Sequence, residues 1–187
     1  MDILEILIIA IGLAMDAFAV SISKGMTIKK LTVRNITTVS LYFGVFQAFM
    51  PFLGYILGKS FESYVMHIDH WIAFILLSFI GANMIKEAFS DKDIKKPEIC
   101  VKEMLPLAIA TSIDALAIGI TFAFLKVNIL YSTTIIGIVT FIISGIGVLI
   151  GNRFGKKYGK KSELLGGIIL IAMGIKILIE HLCWQFT

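Results

Sequence analysis

The chain has 187 residues, of which 58% are hydrophobic and 16% charged, with a formal net charge of +4, against about 45–50% and about 25% in an ordinary soluble domain. That leaves too little polar surface for a water-soluble fold and too much Ile, Leu, Val and Phe for disorder, while three Pro and sixteen Gly without a period exclude a collagen-like chain. An integral membrane protein remains, with room for about six spans of roughly 20 residues each.

The first span is expected over residues 3–23 and carries Asp16 in its interior. Asp2 and Glu5 stand where a cleavable signal peptide has basic residues, so the segment reads as a permanent span. A basic loop follows with Lys24, Lys29, Lys30 and Arg34. The second span, 36–57, holds Gln47 and Pro51. A proline deprives the carbonyl four residues back of its amide partner, so Pro51 either exposes the Gln47 carbonyl as a neutral ligand or simply kinks the helix. His67, Asp69 and His70 then read as interfacial, and Trp71 and Trp184 as aromatic-belt residues.

The third span, 68–89, carries Asn83 and ends near Glu87. A mixed cluster follows, with Lys86, Lys92, Lys95, Lys96 and Lys102 among Asp91, Asp93, Glu98 and Glu103. The fourth span, 104–125, contains Thr111, Ser112 and Asp114, and the fifth covers 130–151. Arg153, Lys156, Lys157, Lys160 and Lys161 form the third basic cluster before a sixth span at 163–184, which opens on Glu163 and carries Lys176 and Glu180. Lys176 lies about 10 Å from the outer end of its helix, within snorkelling reach, and is spaced i, i+4 with Glu180. Both features make it structural.

The three clusters hold fourteen of the seventeen Lys and Arg, whereas the other two loops hold Lys59 and Lys126. The positive-inside rule then places the three basic loops in the cytoplasm and both termini outside. No aromatic residues interleave with the lysines, so the charge is topogenic and no nucleic-acid partner is expected. Cys100 and Cys183 fall on opposite sides of the membrane, which excludes a disulfide between them, and neither has ligand spacing to another Cys or His.

The chain also repeats itself. Ala10, Ile11, Asp16, Ala17, Ala19 and Ile22 recur at an offset of 98 as Ala108, Ile109, Asp114, Ala115, Ala117 and Ile120. Asn35, Ile36, Gly44, Gly54, Gly58 and Phe61 recur at an offset of 93 as Asn128, Ile129, Gly137, Gly147, Gly151 and Phe154, and Gly81 and Glu87 as Gly174 and Glu180. Three spans per repeat invert the second copy, an arrangement found in transporters that bind substrate near the midplane. The expected fold is an all-α integral membrane protein of six transmembrane helices in two inverted three-helix repeats, residues 1–90 and 104–187, joined by a cytoplasmic linker at 91–103. Duplication kept only for packing is the alternative.

An ionised Asp at mid-helix costs roughly 2.5–3.5 kcal/mol on insertion scales, so intramembrane acids are paired or functional. Asp16 shares a helix face with Gly12, Ala19 and Ser23, and Asp114 with Ala110, Ala117 and Thr121, small-residue stripes that let two helices approach closely. Two carboxylates suit a divalent cation held by oxygen, with Gln47, Asn83, Thr111 and Ser112 as neutral donors; the bland alternative is that each Asp only hydrogen-bonds a neighbour. Met15 adjoins Asp16 but points about 100° away, so it reads as core. Glu87 and Glu180 would stand toward opposite mouths of a pathway, with Glu163 at the cytoplasmic start of the last span. Structural roles are equally open to Glu87 and Glu180, and a favourable helix N-terminal acid is the alternative for Glu163.

The segments at 15–22 (Met-Asp-Ala-Phe-Ala-Val-Ser-Ile), 70–74 (His-Trp-Ile-Ala-Phe), 110–115 (Ala-Thr-Ser-Ile-Asp-Ala) and 161–167 (Lys-Ser-Glu-Leu-Leu-Gly-Gly) resemble the bacterial manganese efflux pump (MntP) family. The resemblance covers essentially the whole chain. It implies a six-span inner-membrane exporter of Mn²⁺, related to the lysine-exporter superfamily, with Asp16 and Asp114 on the family's two intramembrane acids. No phosphate-binding loop occurs, so the expected activity is secondary transport driven by an ion gradient, with protons competing for the same carboxylates as counter-ion. On this reading Mn²⁺ is cargo, no cofactor and no enzymatic activity are expected, and the oligomeric state is left open. The competing expectations are an exporter of another divalent ion or of an amino acid, and a membrane scaffold without transport.

Overall fold

In the computed structural model, the residues described are 2–28, 30–60, 100–125 and 127–158, with short helical stretches at 74–75, 78–79, 81–82, 85–86, 164–165, 168–169, 171–172, 175–176 and 179. Five helices are delimited: α1 (Ile3–Thr27), α2 (Val33–Ser60), α3 (Val101–Ala110), α4 (Ile113–Phe124) and α5 (Ile129–Tyr158). Most of the third and sixth expected spans lies outside the described residues.

Local chemistry sets where these helices begin. Glu5 reaches back to accept the Asp2 amide at 3.0 Å, Thr32 Oγ1 accepts the Asn35 amide at 3.2 Å, and Asn128 Oδ1 accepts the Tyr131 amide at 3.3 Å, each satisfying a donor that a helix start leaves open. α1, α2 and α5 are each long and apolar enough to cross a membrane. All three extend beyond the bounds expected from hydropathy. The C-terminal end of α1 is the clearest case, because Lys24 and Gly25 are buried there against other helices.

That end is tied down by polar contacts. Asn152 of α5 donates through Nδ2 to the carbonyls of Gly25 and Ile28, capping the last turn of α1 from a neighbouring helix. Lys24 forms an ion pair with Glu103 of α3. Lys24 is buried while Glu103 is partly exposed, so losing the acid strands a cation in a largely dry site. Glu103→Gln is expected to lower the thermal midpoint of the purified protein by about 2–4 °C, and Lys24→Met combined with it to restore most of that. An unchanged midpoint in Glu103→Gln would show the pair to be idle.

The fourth expected span is not one straight helix. It breaks at Thr111–Ser112, and α3 and α4 meet there at a bend of 44°. The Thr111 hydroxyl donates to the carbonyls of Leu107 and Ala108, and the Ser112 hydroxyl donates to that of Ala108 at 2.7 Å. Such side-chain bonds compete with the main-chain ladder. The Ser112 amide in turn pairs with Ile109, a tightened last turn, before α4 starts with Ser112 at its N-cap.

α2 and α5 cross where Gly44 faces Gly137; α1 lies along α5, and α3 and α4 lie along α2. Glycines permit these approaches. A Cβ on Gly151 would stand 2.1 Å from the Ile22 carbonyl oxygen, and one on Gly54 2.1 Å from that of Leu116. One apolar core joins Ala17, Val20, Val39, Phe43, Leu107 and Val148, and a second joins Ala10, Leu13, Ala115, Phe122 and Ile136. Ile8, Ile11 and Met15 of α1 are at least half exposed and form part of an apolar outer surface. Met15 is therefore not a core residue, contrary to the sequence expectation. A one-residue step along the helix turns it out as Asp16 turns in.

Candidate functional site

Asp16 lies midway along α1 and is 8% exposed. Asp114 lies in the first turn of α4, just past the break, where the helix N-terminus favours a carboxylate and Oδ1 accepts the Ala115 amide at 2.8 Å. The two acids belong to different helices yet are within electrostatic reach of each other, with Lys176 in reach of Asp114 as well.

The stripes around them are only partly buried. Ser23 and Ala110 are covered, but Gly12 and Thr121 are exposed, and a Cβ at Gly12 would meet nothing within 4 Å among the described residues. Helices crossing at an angle touch over their middle turns, so a face drawn from spacing alone is too long.

Gln47 is fully buried in α2. Its Nε2 donates to the Leu13 carbonyl at 3.3 Å, one turn before Asp16, and its Oε1 has no partner among the described residues. Pro51 lies inside α2, which continues through it, and its backbone forms the surface on which Gly119 of α4 rests. Thr111 and Ser112 are buried beside Asp114 in sequence, but both hydroxyl protons are committed to the helix break. Asn83, Glu87, Glu163 and Glu180 lie outside the described residues. Among the described residues no group of three His, Cys, Asp or Glu side chains gathers, so a cation here would draw on two carboxylates and neutral oxygens.

Two features were not anticipated from the sequence. Lys176 does not snorkel to an interface; its Nζ lies 3.1 Å from Asp16 Oδ1, an ion pair between distant parts of the chain. Ser21, Ser40, Thr140 and Ser144 also bury hydroxyls that have no partner among the described residues. The pattern that could have flagged them is a serine or threonine on the buried face of three neighbouring helices. A serine in one apolar segment carries no such signal by itself.

Membrane-length helices packed on one another, with one further pair bent beside a carboxylate, define a multi-pass helical membrane protein. The chain belongs to the Mntp family: a model of that family, described as "Putative manganese efflux pump", matches residues 30–178. Proteins carrying that description with the name MntP are 55% identical in Desulfitobacterium hafniense over 96% of this chain and 95% of theirs, and 55% identical in Acetivibrio thermocellus over 97% and 93%. A relative in Mannheimia succiniciproducens is 48% identical over 97% of this chain and 98% of its own. No solved structure matches the chain. The family is described by transport, not by catalysis of a covalent reaction.

Proposed function

We propose that this protein is a secondary transporter that exports Mn²⁺ from the cytoplasm across the bacterial inner membrane, with Asp16 and Asp114 as its principal ligands. The observation that carries the reading is that these two acids, on separate helices, lie within electrostatic reach of each other, while Gln47 bonds the carbonyl of Leu13 one turn before Asp16 and its Oε1 has no partner among the described residues. Among the described residues, two acids and the single Lys176 ammonium leave a net negative charge inside the membrane, which a bound cation relieves. Carboxylate and amide oxygens are the donors that hard divalent ions prefer. The relatives' description as efflux pumps for manganese favours Mn²⁺ among such ions.

The six-span inverted repeat, divided at 1–90 and 104–187, belongs to the same proposal. Its support is reciprocal packing: Gly147 approaches the Phe18 carbonyl as Gly54 approaches that of Leu116, and Gly151 approaches Ile22 as Gly58 approaches Ile120. Each contact maps onto its counterpart under the sequence offsets. A helix broken near a charged group is also a recurring feature of transporter binding sites. The hydroxyls of Ser21, Ser40 and Ser144, without partners among the described residues, would line a hydrated route between α1, α2 and α5 on the cytoplasmic side of Asp16, with both termini outside.

The coupling is tested in proteoliposomes loaded with Mn²⁺ and a metal-sensitive dye. Proton exchange predicts that an opposing pH gradient of one unit raises the initial flux several-fold, and selectivity for Mn²⁺ predicts that Ca²⁺ or Mg²⁺ in tenfold excess competes weakly. Flux that ignores the gradient would remove protons from the cycle, and equal competition by Mg²⁺ would favour a broader divalent exporter.

A further inference from the structure

Lys176 sits where a bound cation would sit. Its Nζ is 3.1 Å from Asp16 Oδ1, and the partners differ sharply in freedom: half of the Lys176 side chain is uncovered, against 12% of that of Asp16. The carboxylate is largely enclosed, whereas the ammonium is carried on a four-carbon stem whose rotatable bonds allow it a second position. Among the described residues, two Asp and one Lys give the empty site one negative charge. Adding a divalent ion with the ammonium still in place would leave one positive charge in a low-dielectric setting, while withdrawing the ammonium leaves the carboxylates and the ion balanced.

We propose that Lys176 is a tethered counter-cation that occupies the Asp16 carboxylate in the empty transporter, is displaced when the metal binds, and returns to expel it. This rests on the reading of Asp16 as a metal ligand. It assigns the lysine a part in the turnover of that site that neither the family description nor the local sequence suggests. What changes in this cycle is the position of the ammonium. The returning lysine keeps the emptied site from being left as two bare acids, so it weakens equilibrium binding but speeds release.

The prediction is opposite in sign for binding and for turnover. In purified protein, Lys176→Gln should tighten Mn²⁺ binding about tenfold, with a matching fall in the KM for flux in proteoliposomes. The maximal flux should fall about tenfold because release is slowed. Lys176→Arg, which keeps the charge, should stay within about threefold of the wild type in both. A lysine that only props up the fold would lower flux in Lys176→Gln without tightening binding, and that outcome overturns the proposal, as does unchanged binding. Asp16→Asn run in parallel separates the two levels. If it abolishes binding while Lys176→Gln leaves binding unchanged, the metal site stands and the tethered cation falls. If the wild type itself binds no Mn²⁺, both fall.

Discussion

Asp16→Asn and Asp114→Asn should each reduce Mn²⁺ export to the level of cells lacking the protein, if the two acids bind the ion as proposed. Loss of an outer-shell partner alone costs about 10–100-fold in metal affinity, so loss of a carboxylate ligand should cost at least about 100-fold. The substitution is nearly isosteric and removes charge from a buried site, so the variants should insert and fold as the wild type does. Cellular manganese content in a manganese-sensitive host, normalised to the amount of protein in the membrane, is the appropriate readout. The two variants should be equally defective if, as proposed, the acids hold one ion between them. A loss confined to one of them would mean that only that acid touches the metal. Asp16→Asn also releases Lys176 from its ion pair, so Asp114→Asn is the cleaner test of the ligand role itself.

Gly151→Val and Gly54→Val should leave almost no folded protein. A Cβ at either position would lie 2.1 Å from a carbonyl oxygen of the facing helix, a backbone atom that cannot move aside without shifting the whole helix. Overpacking of a dense interior costs typically about 1–3 kcal/mol even where side chains can adjust, and here they cannot. Gly12→Ala is the matched control, since a Cβ there would meet nothing within 4 Å among the described residues. The measurement is the yield of monodisperse protein in detergent, which should collapse for the first two and stay at the wild-type level for the third. Normal yield for Gly151→Val would show that α1 and α5 pack less closely than described.

These two sets of residues differ in how readily the sequence announces them. Asp16 and Asp114 stand out because a charge in an apolar run has few benign explanations, and their recurrence in register doubles the signal. Gly54 and Gly151 are visible by the same repeat, although only the packed helices show that each meets a carbonyl. The break in the fourth span was written in the sequence as well. Ser112 followed by Asp114 is a helix-start signature, but inside a long apolar stretch hydropathy dominates and the start goes unread.

Lys176 could not be placed from its neighbourhood. Spacing along one helix pointed to Glu180 and to the membrane surface, whereas the contact that matters crosses to α1, 160 positions away in the chain. The same holds for Gln47, whose value as an oxygen donor was legible while its bond to the Leu13 carbonyl was not. Local periodicity reports which face a residue occupies. Which helix that face meets is decided by packing.

The central claim, that two acids from separate helices hold the transported ion, is tested most directly by titrating Mn²⁺ into the purified protein and following free Mn²⁺ by electron paramagnetic resonance. Saturable binding by the wild type, lost in both Asp16→Asn and Asp114→Asn at the same protein concentration, is the predicted result. Undiminished binding in either variant would contradict it.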